Sequence, residues 1–365
     1  MIAASEPRQR PLDARLLVVD RKGKIVHLVR TDLVDFLETS DLVIANDAAT
    51  LPASLVGFHE ATAARIEVRL AGRRSLARDD VTRFTAVVFG AGDFHTRTED
   101  RPLPPRLAAG DRLVLGPLTA TVEATLDHPR LVALRFAESP DAIWEGIARH
   151  GRPVQYAHVP APLALWDVWT PNAAGPAAFE PPSAGFVLDW RNLAAMRARG
   201  IEFATITHAA GLSSTGDTEL DARLPFDEPY AIPQTTAAAI RRAKRQHRRI
   251  VAIGTTVVRA LEHAAIRHGS VRAGHAIATQ RIGPRTRLRV VDAIVSGAHE
   301  PGSSHHELLR AFVDDRTLRR VTDALVAHGY RTHEFGDSVL IARRAVCAGR
   351  HCSNAHVDRA TTLHI

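Results

Sequence analysis

Residues 248–265 read RRIVAIGTTVVRALEHAA, a stretch in which an apolar run ends in Gly-Thr-Thr and a helical pattern begins at once. The run at 250–253 predicts a short buried strand, and the apolar residues after it recur at the spacing of a helix with one buried face, namely Val257, Val258, Leu261 and Ala265. Thr255 or Thr256 is expected to cap this helix, which leaves backbone N–H groups and the positive end of the helix dipole pointing outward. Such a corner suits a carboxylate or a phosphate, although an ordinary strand-to-helix turn has the same pattern.

Strand-like and helix-like segments alternate on both sides of this corner and predict an α/β domain. They extend from DAIWEGIARHG at 141–151 to DSVLIARR at 337–344. Before them, residues 12–60 contain the strand-like runs LLVVD and DLVIANDA and a short helical stretch, TDLVDFLE.

Between these blocks the pattern changes to short segments rich in β-branched residues. These segments are ARIEVRLA, FTAVVFGA, DRLVLG, LTATVEAT and LVALRFA. Five of them in about 75 residues, separated by turn-rich connectors, predict a small antiparallel β-barrel. The barrel is assigned to residues 61–139.

Composition excludes several classes of protein. Hydrophobic residues make up 45% of the 365 residues and charged residues 24%, as is usual for a globular chain with a sizeable core. No apolar run approaches the roughly 20 residues of a membrane span, and the N-terminal MIAASEPRQR lacks the apolar core of a signal peptide. The expected location is therefore the cytoplasm, with no membrane partner.

The net charge is +7, from 47 Lys and Arg against 40 Asp and Glu, which is compatible with a polyanionic partner such as RNA. The densest basic run, RRAKRQHRR at 241–249, contains the residues we assign to RNA contact: Arg241, Arg242, Lys244 and Arg245. The alternative is an ordinary solvated helix face.

The C-terminal residues 346–365 have no apolar periodicity and are expected to form a disordered tail. They include two cysteines and two of the histidines, namely Cys347, His351, Cys352 and His356. The spacing matches structural zinc sites poorly, because those sites pair close spacings from two segments. We therefore predict no metal site, and two cysteines provide no disulfide framework.

Six segments in chain order carry a family resemblance. They are SDLVIANDAATLPASLVG (40–57), GRPVQY (151–156), EPPSAGF (180–186), RRIVAIGTTVVRALEHAA (248–265), VVDAIVSGAHEPGSSHHELLRAF (290–312) and YRTHEFGDSVLI (330–341). Together they resemble the S-adenosylmethionine:tRNA ribosyltransferase-isomerase family of queuosine biosynthesis. The resemblance implies one α/β domain, formed by residues 1–60 and 140–345, around the inserted barrel.

The chain departs from the family pattern in the segments expected to form the pocket. Val187 stands where the family has a histidine after Pro-Thr-Ala-Gly-Leu, and Phe226 replaces the second histidine of a His-x-Met-His-x-Glu segment. Gly297 and Ala298 replace an Asn-Phe pair. Three motif positions keep their titratable residue, namely His208, Glu228 and His299.

The family reaction implies S-adenosylmethionine as a co-substrate, no prosthetic group and tRNA as a partner. The ribosyl part of S-adenosylmethionine is transferred to a 7-aminomethyl-7-deazaguanine base and isomerised, and adenine and methionine are released. Because the sulfonium acidifies the C5′ protons, a base is needed there, and His208 or Glu228 is assigned to proton transfer. His299 is assigned to substrate contact.

The remaining assigned residues are expected to bind the co-substrate. The Gly254-Thr255-Thr256 corner is expected to hold the methionine carboxylate or the ribose hydroxyls. Arg259 could bind the same carboxylate, or form a salt bridge with Glu262 or Asp292 instead. The small residues of one loop would let its backbone approach the nucleoside, namely Ser183, Ala184 and Gly185.

Three functions are compatible with these residues. The first is the tRNA-modifying transferase itself, and the second is the same cleavage of S-adenosylmethionine with a small-molecule acceptor. The third is a catalytically silent binding protein. The lost histidines disfavour the first function, whereas the retained corner and the three titratable residues disfavour the third.

Overall fold

The computed structural model describes residues 1–6 and 14–343. Within this part of the chain, the predicted combination of an α/β domain and a small antiparallel β-barrel is confirmed. The 346–365 segment, with its predicted disorder and its cysteines and histidines, lies outside the described residues.

The strands follow one another through both domains. They are β1 (Ile2–Ala3), β2 (Arg15–Val19), β3 (Ile25–Val29), β4 (Leu42–Asn46), β5 (Ala48–Thr50), β6 (Ser54–His59), β7 (Arg65–Gly72), β8 (Arg83–Phe89), β9 (Arg112–Leu115), β10 (Leu118–Thr125), β11 (Leu131–Phe136), β12 (Gly175–Ala178), β13 (Glu202–His208), β14 (Glu228–Ile232), β15 (Ile250–Ile253), β16 (Gly274–Ala278), β17 (Ala293–Gly297), β18 (Arg331–Thr332) and β19 (Ser338–Ala342).

Helices connect the strands of the α/β domain. The α-helices are α1 (Pro140–His150), α2 (Trp190–Ala198), α3 (Thr218–Asp221), α4 (Gln234–Arg245), α5 (Thr255–His268), α6 (Ser304–Leu309) and α7 (Asp315–Ala327). Short 3-10 helices form at Arg30–Phe36, Thr98–Asp100, Leu165–Asp167 and Ser183–Val187. The first of these occupies the stretch predicted to be helical at TDLVDFLE.

The main sheet has the strand order β16-β14-β13-β4-β15-β17-β19-β2-β3. Its centre is the parallel set β13, β4, β15 and β17, flanked by antiparallel neighbours on both sides. The carboxyl ends of the four parallel strands therefore meet along one edge, where ligands bind in open α/β sheets.

Both faces of this sheet are covered, which explains why β15 is apolar at every position and β4 at every position before Asn46. Alternate residues of β4 and β15 belong to two separate cores: Ile44 and Ala252 pack on the face of α4, α5 and α7. Val43 and Val251 pack on the opposite face with α2 and the Arg30–Phe36 helix.

The barrel closes in the order β10-β11-β8-β7-β6-β9, with every neighbouring pair antiparallel. Its first strand begins at Ser54, before the predicted boundary at residue 61. Sequence patterning identified the other five strands but not this one. Residues of the α/β domain, including Phe179, Leu212 and Leu220, belong to the barrel core, so the two domains share buried side chains.

Among the described residues, no helix combines the length and the apolar character that crossing a membrane requires.

Candidate active site

A cavity of about 650 Å³ opens at the carboxyl edge of the parallel strands. Its walls come from the loops after β13, β15 and β17, from the start of β14 and from the segment before α2. This is the size of a site for a small ligand, and the sheet topology places it where such sites occur.

The Gly-Thr-Thr corner, where the sequence predicts ligand binding, forms part of the cavity wall. The N-cap of α5 is Gly254 rather than Thr255 or Thr256, which are the first two residues of the helix. Gly254 has φ +97°, a backbone conformation that is strained in residues with a side chain. A Cβ there would also lie 3.4 Å from Ala184 Cβ. A glycine is therefore needed where this strand turns into the helix.

The first turn of α5 has no side-chain cap. The first N–H groups of a helix have no acceptor within the helix, so here they are available to a ligand in the cavity. Asn46, at the end of β4, fixes the corner by donating to Thr256 Oγ1 (3.3 Å) and to the backbone oxygen of His208 (2.9 Å). Asn46 thus joins three strand ends instead of facing a ligand.

The assigned small-residue loop is the 3-10 helix Ser183–Val187. Ser183 and Ala184 line the cavity next to Gly254. Gly185 faces away from it, because a Cβ at that position would lie 2.9 Å from Thr170 Cγ2. Its small size serves packing against Thr170, which corrects the expectation that it approaches the nucleoside.

Glu228 is buried in the cavity wall and is held from two sides. Its Oε1 accepts a hydrogen bond from the Gly211 amide (2.6 Å), and its Oε2 forms an ion pair with Arg259 Nη1. Burial raises the pKa of Glu228, and the charge of Arg259 opposes that shift. The result is a fixed carboxylate that is more basic than one in water.

The guanidinium of Arg259 bonds to acceptors within the protein. Besides Glu228, its guanidinium donates to the backbone oxygens of Phe226 (3.1 Å), Ala278 (3.0 Å) and Gln280 (3.2 Å). Neither predicted salt bridge forms, since Glu262 accepts three backbone N–H groups at 289–291 instead. Arg259 also lines the cavity, and its contact with Glu228 takes the place of the predicted salt bridges. Its contact with the methionine carboxylate stays a prediction.

His208 lies behind Glu228, fully buried and outside the cavity lining. Its Nε2 is 3.6 Å from Glu228 Oε2, and neither ring nitrogen has a hydrogen-bond partner within the part of the chain that the structure describes. Burial, together with the charge of Arg259, holds the pKa of His208 well below its usual value, so the ring is neutral. Direct proton exchange between His208 and a ligand in the cavity is therefore excluded by this geometry.

His299 lines the cavity, as its assignment to substrate contact requires. Its ring stacks on His305 with centroids 4.5 Å apart. Burial and the neighbouring histidines, first His305 and then His333 and His306, hold the pKa of His299 well below its usual value. A neutral imidazole at this wall can accept or donate one hydrogen bond.

Sequence reasoning missed Glu180, a second buried carboxyl group in the cavity wall. Its Oε2 accepts from the Ser213 amide (2.9 Å), and its Oε1 contacts the Tyr156 hydroxyl. Burial, with the charge of Glu334 adding to it, raises the pKa of Glu180 to about 8. Glu180 precedes the quoted Pro-Pro-Ser-Ala-Gly motif, but nothing in one sequence shows that Tyr156 meets it.

The basic run is not at the cavity. Arg242 forms an ion pair with Glu202, the first residue of β13, whereas the cavity lies at the other end of that strand. A strand of this length separates the two by about 20 Å. Lys244 is 3.8 Å from Asp292, just before β17, at the same far edge. Arg241 and Arg245 are exposed there, so the predicted RNA contacts are remote from the cavity.

The chain is similar to proteins of one family over almost its whole length. The profile of the family described as queuosine biosynthesis protein matches residues 1–341. The chain is 34% identical to the S-adenosylmethionine:tRNA ribosyltransferase-isomerase of Sorangium cellulosum, and the alignment covers 93% of this chain and 95% of that protein. It is 33% identical to the enzyme of the same name from Thermus thermophilus, over 92% of this chain and 94% of that one.

The fold is similar to the crystal structure of S-adenosylmethionine tRNA ribosyltransferase from Thermotoga maritima. The TM-score is 0.50 at 23% identity, with 93% of this chain and 96% of that chain covered. At this identity the likeness supports the fold alone.

Proposed function

This chain belongs to the queuosine biosynthesis protein family, and from that premise we propose that it is an S-adenosylmethionine:tRNA ribosyltransferase-isomerase. It transfers the ribosyl part of S-adenosylmethionine to the 7-aminomethyl-7-deazaguanine base of a tRNA and releases adenine and methionine. The observation that carries the proposal is one cavity that joins the uncapped start of α5 to the buried carboxylate of Glu228.

The start of α5 binds the methionine carboxylate. Its N–H groups and the positive end of its dipole favour an anion, and Gly254 lets the backbone approach closely. Ser183 and Ala184 form the adjoining wall for the nucleoside. S-adenosylmethionine is a co-substrate of this reaction, and no prosthetic group is required.

Glu228 takes the C5′ proton that the sulfonium acidifies. Its raised pKa makes it a stronger base than an exposed carboxylate, while Arg259 and the Gly211 amide fix its position. His208 is a positioning residue behind it and does not touch the substrate.

Glu180 supplies the proton that departing adenine needs. It keeps its proton at neutral pH, and the segment 211–213 separates it from Glu228 while donating one backbone N–H to each carboxyl group. Two carboxyl groups held in different protonation states are the usual arrangement for acid and base roles. His299 contacts the substrate from the facing wall.

The test is to incubate the protein with S-adenosylmethionine and an anticodon stem-loop that carries the aminomethyl-deazaguanine base. We expect adenine and methionine to appear together, whereas methyl transfer would give S-adenosylhomocysteine. Glu228→Gln should lower adenine release by about 10²–10⁴-fold with binding of S-adenosylmethionine retained. The exposed Glu38→Gln is the matched control and should leave the rate unchanged.

The remaining outcomes separate the alternatives. Adenine release without RNA would indicate a small-molecule acceptor, and binding without turnover would indicate a silent binding protein. Formation of S-adenosylhomocysteine would refute all proposals based on ribosyl transfer. A tRNA acceptor also implies that the protein acts in the cytoplasm.

A further inference from the structure

A cluster of two histidines and one glutamate, two of which line the cavity, has been given no contact with the substrate in the proposed reaction. His158, His333 and Glu334 each place one ligand atom within 4.8 Å of the others. His158 comes from the loop after α1, and the other two follow β18, so the fold brings distant segments together. We propose that this cluster, which we call the His-His-Glu cluster, binds one divalent cation of the Zn²⁺ type.

The distances suit a metal. His158 Nε2 is 3.2 Å from Glu334 Oε2. Zinc binds histidine nitrogen and carboxylate oxygen at about 2.0–2.2 Å, so tetrahedral ligands lie about 3.3–3.5 Å from each other. The rings of His158 and His333 stack with centroids 4.4 Å apart, so the two imidazoles lie on the same side of the cluster as neighbours.

The backbone at His333 gives a second, independent indication. Its φ is +70°, which is unfavourable for a side chain with a Cβ. This conformation lets two consecutive residues, His333 and Glu334, both present their side chains to the cavity and to His158. Backbone strain of this kind is concentrated at functional sites, where it fixes a constellation that a relaxed chain would lose.

The surroundings match a metal site with one exchangeable position. Glu300 Oε1 lies 3.8 Å from His333 Nε2, which brings a second negative charge near the cluster although the two atoms are beyond hydrogen-bond distance. Two imidazoles and one carboxylate form the protein ligand set of open zinc sites, whereas Mg²⁺ and Ca²⁺ prefer oxygen alone. Because His333 and Glu334 line the 650 Å³ cavity, the fourth ligand would be water or an oxygen of a bound molecule.

The test is to remove bound metal from the full chain with a chelator and then to titrate the protein with zinc, measuring the heat of binding by calorimetry. Because Cys347 and Cys352 could also bind zinc, all measurements use the Cys347→Ser/Cys352→Ser background. We expect one zinc ion per chain, with affinity at least tenfold lower in Glu334→Gln and in His158→Ala. His268→Ala, which removes an exposed histidine at the end of α5, is the matched control and should bind as before.

A spectroscopic measurement keeps the inference testable if a variant folds poorly. X-ray absorption of the zinc-loaded background protein should show imidazole and oxygen ligands, and Co²⁺ substitution should give the visible absorption of a four-coordinate site. No binding at about 100 µM zinc, or equal affinity in Glu334→Gln and His268→Ala, would overturn the proposal. Neither measurement needs S-adenosylmethionine, so the result is independent of the proposed reaction.

Discussion

Replacing Glu180 by glutamine should stabilise the protein increasingly as the pH rises. The Tyr156 hydroxyl lies within hydrogen-bond distance of Glu180 Oε1 and of the Ser214 backbone oxygen (2.9 Å), yet it has only one proton to donate. A protonated Glu180 resolves this, because it can donate to Tyr156 while Tyr156 donates to Ser214. The glutamine amide can donate in the same way at any pH.

The magnitude follows from the pKa of Glu180 in the two states. Burial raises this pKa from 4.5 to about 8, so between these values the folded chain keeps a proton that the unfolded chain releases. The natural chain therefore loses stability as pH rises from 4.5 to about 8, and the loss is complete above that range. At 1.36 kcal/mol per pH unit, Glu180→Gln should gain about 3 kcal/mol at pH 7 and about 5 kcal/mol at pH 8 and above, relative to acidic pH.

The assay is urea unfolding of the natural chain and of Glu180→Gln at pH 5, 6, 7, 8 and 9, with a chelator present. The difference in unfolding free energy should increase with pH and then level off. Glu38→Gln, an exposed carboxyl group, controls for the loss of one charge. Two parallel curves for the natural chain and Glu180→Gln would show that Glu180 is ionised in the folded protein, and its role as a proton donor would be refuted.

Gly254→Ala should lower the unfolding free energy by about 1–2 kcal/mol and weaken S-adenosylmethionine binding in calorimetry, because it forces a Cβ onto a residue at φ +97°. The same change at Gly283, which has open space around it, should do neither. Equal behaviour of the two variants would contradict the assignment of Gly254 to co-substrate binding. Arg259→Met should lower the free energy of unfolding in urea by about 3–5 kcal/mol, since it leaves the buried Glu228 carboxylate without its partner. Adding Glu228→Gln, which removes that charge, should recover part of the loss. No recovery would show that packing and not charge accounts for the effect. Arg241→Gln/Arg245→Gln should leave the release of adenine from S-adenosylmethionine, measured with the stem-loop as acceptor, within about twofold at about 100 mM salt. Both residues are exposed on α4, whose Arg242 pairs with Glu202 at the far edge of the sheet, and a larger fall would restore the predicted RNA contact.

The sequence pattern predicted those strands and helices in which buried positions are continuous or recur at a regular spacing. The apolar run of β15 and the three- and four-residue spacing of α5 predicted a strand-to-helix corner at Gly-Thr-Thr, and the structure has that corner in the cavity wall. The strand β6 was missed because its burial alternates irregularly and its Gly57 has no β propensity. A Cβ at Gly57 would collide with the Val114 backbone oxygen, so a close strand approach and not propensity selects this residue.

The contacts within the site could not be predicted in the same way, because they join segments far apart in the chain. Motif position identified Glu228 and His299 but not that Arg259 pairs with Glu228 or that His208 lies behind it. Glu180 gave no signal, since its altered chemistry comes from burial beside Tyr156 and not from its neighbours in sequence. Periodicity describes the environment of an element, whereas a protonation state depends on the groups packed around it.

The shared core has a consequence for how this architecture can change. Leu212 and Leu220 lie in the α/β domain by sequence, yet together with Phe179 they belong to the same buried cluster as the barrel strands. In a barrel transplanted from a relative, the core residues would not be matched in shape to these three side chains. The loop that carries Leu212 also holds the two carboxyl groups of the cavity, because the amides of Gly211 and Ser213 donate to them. The barrel and the 211–213 segment should therefore be inherited together, so that a chimaera keeps the arrangement of the two carboxyl groups only when its crossover points lie outside both.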